Sequence, residues 1–482
     1  MKKNFIYFSL PLLGALTLAS CSEDDNITTD PVTNPDDTVV LEDSTPSPVI
    51  DAEGFFVVNE DWFGHDNGTV NYFKNNGEII YRAYRAANEG ETFGVTTQFA
   101  TIYGNNAYFV SKQGNRLVVA DAKTMKKKAV LKEIGGDGRS FVGVTPQKGY
   151  IATAKGISIF NIETLSLEGT IAEVSGETGN MQLVGNYVFA VTKGKGVYVI
   201  NTQTDAVEKL IDNTAAQMVT QSKDGSVWIA ANQTLVQIDP FTLETINEIS
   251  IADAPAKGNA FAWNAGSFAA STQENVLYWT NGTSVVQYNI DTQTLNPTLY
   301  TLGNDDEGKT LAFYGGALRV DPLTNHIVLT VTRSGFGESS SYNWLHIIDN
   351  NGGLIKNIVV NGDNGLGSDW GTESDRYFWF PAMPFFEDAN APEILLNQVI
   401  VAPNERKAIA LNEKIVDADN ISASIIKGIN AEESEFATYE IKQDSLIVTA
   451  KDVPGKDKLT LSAVSNGKSV SKEIRIDVRI AE

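Results

Sequence analysis

Few side chains in this sequence are equipped for covalent chemistry. The single cysteine is Cys21, and the three histidines are His65, His326 and His346. One cysteine excludes a disulfide framework and any multi-cysteine metal site. Three histidines permit a Ser-His-Asp arrangement on paper, but neither Gly-x-Ser-x-Gly nor His-Glu-x-x-His occurs, and no Gly-x-Gly-x-x-Gly opens a helix. Nothing singles out a carboxylate pair among the 60 Asp and Glu. No catalytic residue, metal site or intrinsic cofactor is therefore assigned, and binding is the expected activity rather than catalysis. The candidates for binding are aromatic, amide and basic residues in Gly- and Asn-rich stretches: Trp62, His65, Lys112, Phe336 and Trp344, then Gln98, Arg139, Asn180, Gln217, Asn259 and Trp370. Trp and Phe in irregular segments offer stacking faces to a flat apolar ligand, and amides can bond its rim. His65, between Gly64 and Asn67-Gly68, can ligate a metal centre carried by a bound cofactor. The alternative is an ordinary exposed loop histidine.

A repeat supplies the elements that must position these residues. Asp121, Asn161, Asn201, Asp239, Asn289 and Asp349 each end an apolar run, at spacings of 40, 40, 38, 50 and 60 residues. Thr follows three residues later in five of the six units. An Asp or Asn here accepts backbone N–H bonds in a turn. Each unit reads as a four-stranded antiparallel meander, with the marker between its third and fourth strands. Four-stranded units of about 40 residues have the length of propeller blades. The stretch 55–84 supplies only three strands, and Arg376 to Phe385 is a strand with no unit behind it. Placing that strand innermost in the first unit closes a ring of seven blades and removes two open edges. In that arrangement the nominated residues fall in loops entering the first strands or joining second to third strands, all at one mouth.

The flanks differ in grammar. Lys2 and Lys3 precede the apolar run Phe5 to Leu18, which is too short to span a membrane. Leu18-Ala19-Ser20-Cys21 resembles the bacterial lipobox, so residues 1–20 are expected to be a lipoprotein signal peptide and Cys21 the lipidated mature N-terminus. Ser22-Glu23-Asp24-Asp25 resembles the export signal that sends Bacteroides-type lipoproteins to the outer face of the outer membrane. Residues 21–52 read as an acidic flexible tether, with four prolines and no Lys or Arg. Residues 53–389 are expected to form the propeller. Residues 390–482 are expected to form an immunoglobulin- or cadherin-like β-sandwich of seven short strands, one of them Ile421 to Ile426. Asp388, Asn390, Asp417 and Asp419 resemble cadherin calcium ligands; ordinary Asx turns are the other reading. A net charge of −23, from 37 Lys and Arg against 60 Asp and Glu, disfavours nucleic acid and anionic lipid, leaving membrane contact to the lipid anchor.

Val57-Val-Asn59-Glu60-Asp-Trp62-Phe-Gly64, Asn67-Gly-Thr-Val-Asn71 and Trp379-Phe-Pro-Ala-Met-Pro-Phe-Phe386 resemble the YncE-like propeller lipoproteins of gut Bacteroides, across residues 54–390. That family includes the BtuG-type surface proteins. The resemblance implies a surface-exposed outer-membrane lipoprotein that captures a corrinoid such as vitamin B12. It would hand this ligand to a TonB-dependent outer-membrane transporter. A surface module binding glycan or protein, without a transport role, is the alternative.

Overall fold

The computed structural model describes residues 54–259, 262–362 and 376–479. The expected signal peptide, Cys21, the tether and Trp370 lie outside the described residues. Among the described residues, the chain from Phe55 to Phe386 forms seven four-stranded antiparallel sheets. Six are continuous meanders whose first strands are Val95–Tyr103, Gly138–Thr145, Thr178–Val184, Met218–Gln221, Phe268–Ala270 and Leu311–Val320. These are the second to seventh sheets.

The first sheet is assembled from both ends of this stretch. Pro381–Phe386 is its innermost strand, followed by Phe55–Asn59, Thr69–Phe73 and Ile79–Ile80. The seam register pairs Phe55 with Phe386, Phe56 with Phe385, Val57 with Pro384 and Val58 with Met383. The closing strand starts at Pro381, later than the expected Arg376. Phe380 is left-handed (φ 45°) and Trp379 N–H bonds the Tyr377 carbonyl, so the chain turns before it extends. Pro381 and Pro384 are tolerated because this strand is paired on one side only.

Burial follows position. The second strand of the fifth sheet, Val227–Ala231, is wholly buried, since neighbouring sheets cover both its faces. Its fourth strand, Thr245–Ser250, is largely exposed at the rim. The first strand of each sheet packs on that of the next, and Pro381–Phe386 packs on both Leu311–Val320 and Val95–Tyr103. Hydrophobic clusters fill every junction. Phe56, Tyr72, Phe109 and Phe385 join the first sheet to the second. Phe55, Val328, Leu345 and Trp379 join the seventh to the first. The protein is thus almost all-β, with a propeller-like arrangement of four-stranded antiparallel sheets.

The marker turns form as their chemistry requires. Asp121 Oδ1 accepts bonds from the N–H groups of Lys123 and Thr124 at 3.1 and 3.0 Å, and Asp239 Oδ1 from Phe241 and Thr242 at 2.8 and 3.0 Å. The fourth strands begin past the Thr of each marker, for example at Lys127 and Thr245. The residue after Thr is left-handed in five turns (Met125, Leu165, Asp205, Leu243 and Gln293), which delays the strand.

Beyond Asp388, residues Glu393 to Val478 form a four-stranded, a three-stranded and a two-stranded sheet around Val399, Leu446, Val448, Leu461, Ile474 and Ile476. The strand expected across Ile421 to Ile426 is instead a 3-10 turn at Ser422–Ser424 and a strand at Ile426–Asn430. Ser424 bonds the Ile421 carbonyl through both its N–H and its hydroxyl, which curls the backbone. Among the aspartates, Asp417 Oδ1 accepts the Asp419 N–H at 2.8 Å in a local turn. Asp419 accepts bonds from the Asn390 N–H and amide at 2.6 and 3.0 Å, and Asp388 pairs with Lys468.

Candidate functional site

Each sheet has two ends. The lower end carries the first-to-second and third-to-fourth strand turns. The upper end carries the second-to-third strand loops and the entries to the first strands, where the sequence places the candidates.

The upper loop of the first sheet is held from afar. Glu60 and Asp61 donate backbone N–H bonds to the carbonyls of Phe380 and Trp379 at 3.0 and 3.1 Å. Asp66 takes a two-pronged pair from Arg85 at 3.1 and 2.8 Å and the Tyr377 hydroxyl at 2.7 Å. Arg82 lies over the rings of both Tyr377 and Trp379, 4.6 Å from each. Trp62 stacks on His65 at 3.8 Å and on Phe378 at 4.3 Å. Phe378 stacks on Phe380 at 6.2 Å, and Phe380 meets Tyr314 at 5.5 Å. An aromatic ladder therefore runs from the exposed His65 to Tyr314 on the first strand of the seventh sheet.

At the foot of the ladder stands Glu60, a residue the sequence reading did not single out. Its carboxylate accepts a bond from Gln98 at 3.2 Å, meets the Tyr314 hydroxyl and feels the charge of Lys112. Burial outweighs these partners and pushes the carboxyl up to about 7. Burial also holds the neighbouring Asp61 well above the usual carboxylate range, with Asp66 adding repulsion and Thr69, Arg85 and Arg82 opposing it. Gln98 and Lys112 thus belong to one polar cluster around Glu60.

A second group forms around Trp263, which the sequence reading also missed. The segment 263–266 crosses among the first strands of several sheets. Asn180 Nδ2 bonds the Ala265 carbonyl at 2.7 Å and Arg319 Nη1 bonds the Gly266 carbonyl at 2.8 Å. Arg139 lies 5.9 Å over the Trp263 ring and 3.6 Å from Glu177. Gly266 is left-handed (φ 69°), and a side chain there would run into Met218. Ala265 is buried with Phe56, Ala382 and Met383. Among the described residues Arg319 has no carboxylate as a bonded partner, and burial lowers its guanidinium to about 10. The segment therefore plugs the space among the first strands. No sequence signal marks it, since its contacts come from sheets that are distant in the chain.

Asn180, Gln217 and Asn259 line one cleft with Trp263, but its volume is about 60 Å³. Phe336 is 99% exposed on the upper loop of the seventh sheet. Trp344 departs from its expected place. It is not in a loop but in the strand Asn343–Ile348, paired with Val331 and Val359 and buried among Leu311 and Leu329. Its alternation with Leu345 places it facing the sixth sheet, so it is core. His346 is also core: it is 4% exposed, bonded through Nδ1 to the Tyr300 hydroxyl at 2.8 Å, and lowered to about 4 by burial. Among the described residues no group of three or more His, Cys, Asp or Glu is placed to hold a metal ion.

Gly303-Asn-Asp-Asp-Glu-Gly308-Lys309-Thr310 spells the Gly-x-x-x-x-Gly-Lys-Thr phosphate-loop pattern. It leads into the strand Leu311–Val320 rather than a helix, and Asp305 is paired with Arg333 at 2.6 Å. Three acids and no helix N-terminus leave nothing to cradle a phosphate. A cavity of about 800 Å³ lies at the lower end and is lined by polar residues including Lys223, Asn275, Gln287, Asn296 and Asn350.

The profile of a family described as a domain of unknown function, DUF5074, matches residues 53–387. The chain belongs to that family. A solved quinonprotein alcohol dehydrogenase-like protein from Bacteroides thetaiotaomicron is similar in fold, with 16% identity, a TM-score of 0.52, and coverage of 70% of this chain and 78% of that one. The extracellular domain of a putative hybrid two component system of the same organism gives 13% identity and a TM-score of 0.42, covering 88% and 56%. Virginiamycin B lyase from Staphylococcus aureus gives 10% and 0.41, covering 63% and 95%. The likeness to the first of these bears on the fold alone. A search of curated proteins finds no match to this sequence. Among the described residues no helix is long and apolar enough to cross a membrane.

Proposed function

We propose that this DUF5074 protein is a surface-exposed outer-membrane lipoprotein, anchored through Cys21 and the 21–52 tether, whose seven sheets act as the blades of a closed propeller. In this reading residues 390–482 are an immunoglobulin- or cadherin-like module. The upper end binds a flat, partly apolar ligand, with a corrinoid such as vitamin B12 the first choice, and delivers it to a TonB-dependent transporter. The observation that carries the reading is the ladder: Trp62 fixes an exposed imidazole, His65, at the head of stacked rings that end at the polar cluster of Glu60, Gln98 and Lys112. A rigid ring-backed imidazole suits axial ligation of a metal centre carried by the ligand. The plug at 263–266 and the 60 Å³ cleft mean that such a ligand lies across the upper face rather than entering the ring. Phe336 and the amides of Asn180, Gln217 and Asn259 are then contacts at its edge.

Titration of the purified protein with cyanocobalamin tests this. The expected result is binding heat with a visible-band shift, the shift being lost in His65→Ala. No heat at micromolar protein removes the corrinoid. A second reading is supported by the 800 Å³ polar cavity at the lower end, whose amides and carboxylates suit the hydroxyls of a glycan. Binding of an oligosaccharide panel that is lost in Gln287→Ala and kept in His65→Ala favours it.

A further inference from the structure

We infer that the C-terminal module is a latch for the ring, stapling the end of the closing strand to the neighbouring sheet through Asp388, Asn466 and Lys468. The closing strand Pro381–Phe386 needs such a device. It is paired on one side only, contains two prolines, and joins a partner more than 300 residues away in the chain. Closing so long a loop is entropically costly, and an edge strand with missing N–H donors frays readily.

Asp388 follows that strand by two residues, and its carboxylate is a hub for the module. One oxygen takes the Lys468 ammonium, and the other takes the side-chain amides of Asn420, at 2.9 Å, and Asn466. Lys468 also bonds the Asp388 carbonyl. Asn466 reaches on to the second sheet. Its amide donates to the Ile102 carbonyl at 3.1 Å, and its own carbonyl accepts the Gly104 N–H at 2.8 Å. One hairpin tip, 465–468, therefore grips both the end of the seam strand and the turn that ends Val95–Tyr103, the strand on which the seam strand packs. The fit is close. Gly467 is left-handed (φ 80°), and an added Cβ would lie 2.9 Å from both Gly104 N and Tyr103 Cε1.

The charge at the hub is equally specific. Asp388 is the first of the residues that resemble calcium ligands, yet every side chain on its carboxylate is a donor: one ammonium and two amides. Lys468 supplies the positive charge that a divalent ion would bring, so the latch works without calcium.

Hydrogen exchange on the full chain, read segment by segment, tests the latch. In Asn466→Ala and in Lys468→Met, exchange across 381–386 and 55–59 is expected to quicken at least threefold. The strands Val227–Ala231 and Gly455–Ser465 should keep wild-type rates, and Lys458→Met, which removes an exposed pair with Glu473 in the same module, should change nothing at the seam. Wild-type rates at the seam in both variants overturn the latch. So does a uniform rise in all segments, or a rise confined to the module. Loss of seam protection when EDTA is added to the wild type would overturn the assignment of the ammonium as the cation.

Discussion

The two ends of the sheets are built by different rules. At the lower end the turns between third and fourth strands are closed mainly by bonds within the turn. A side chain such as Asp239 bonds the N–H groups two and three residues on, and the Leu243 N–H returns to the Asp239 carbonyl at 2.9 Å. At the upper end almost every fixed group is held by a distant one: Asp66 by Tyr377, Glu60 by Gln98 and Phe380, Gly266 by Arg319. Self-contained turns leave the carboxylates of Asp121 and Asp349 below their ordinary range: hydrogen bonds and, for Asp121, Lys128 outweigh burial. Long-range packing instead buries charge and drives Glu60 upward. The first arrangement is local and repeatable; the second shifts the protonation of groups such as Glu60.

The contrast can be broken or sharpened by measurement. The largest effect is expected at Trp379, which is fully buried, clamps Arg82 and bonds the Asn361 carbonyl at 2.8 Å. Trp379→Ala should cost about 3–5 kcal/mol in denaturant unfolding, and a loss no larger than that of a turn variant would erase the difference between the ends. Glu60→Gln should act through pH. The folded carboxyl titrates near 7, above its ordinary 4.5, so the folded state holds the proton more tightly and wild-type stability falls as pH rises from about 4.5 to 7. The variant should equal wild type near pH 4 and exceed it at pH 8, by no more than about 3 kcal/mol at 1.36 kcal/mol per unit. Parallel stability curves for the two proteins would show that Glu60 is not strained. Asp239→Ala removes two turn bonds and should cost about 1 kcal/mol, with no change in exchange outside the fifth sheet. The smallest effect is expected from Gln293→Gly at an exposed left-handed position (φ 54°). Relief of backbone strain and added unfolded-state freedom nearly cancel there, leaving a gain of about 0.5 kcal/mol; a clear loss would mean that the turn depends on more than its backbone.

The same contrast explains what could be read in advance. The Asx-x-x-Thr markers are local, so the unit length and strand order follow from spacing alone, and the complementary ends pointed to the Phe56–Phe385 seam. Trp344 was misplaced because it directly follows a Gly- and Ser-rich stretch, while its burial depends on the sixth sheet. Glu60 sits in plain view in a loop, but its raised carboxyl depends on Gln98 and Tyr314 arriving from two other sheets. Trp263 carries no mark at all, because nothing within its own segment requires it to lie among the first strands.

The sequence by itself determined the repeat, the turns and the pairing of the two ends, since period-two alternation and side-chain-to-backbone bonds act over a few residues. Only the tertiary structure decided which charges are buried, which aromatics stack into the His65 ladder, and that the segment 263–266 fills the middle. Those outcomes depend on the dielectric and contacts created when chain segments hundreds of residues apart meet, and no local pattern encodes them.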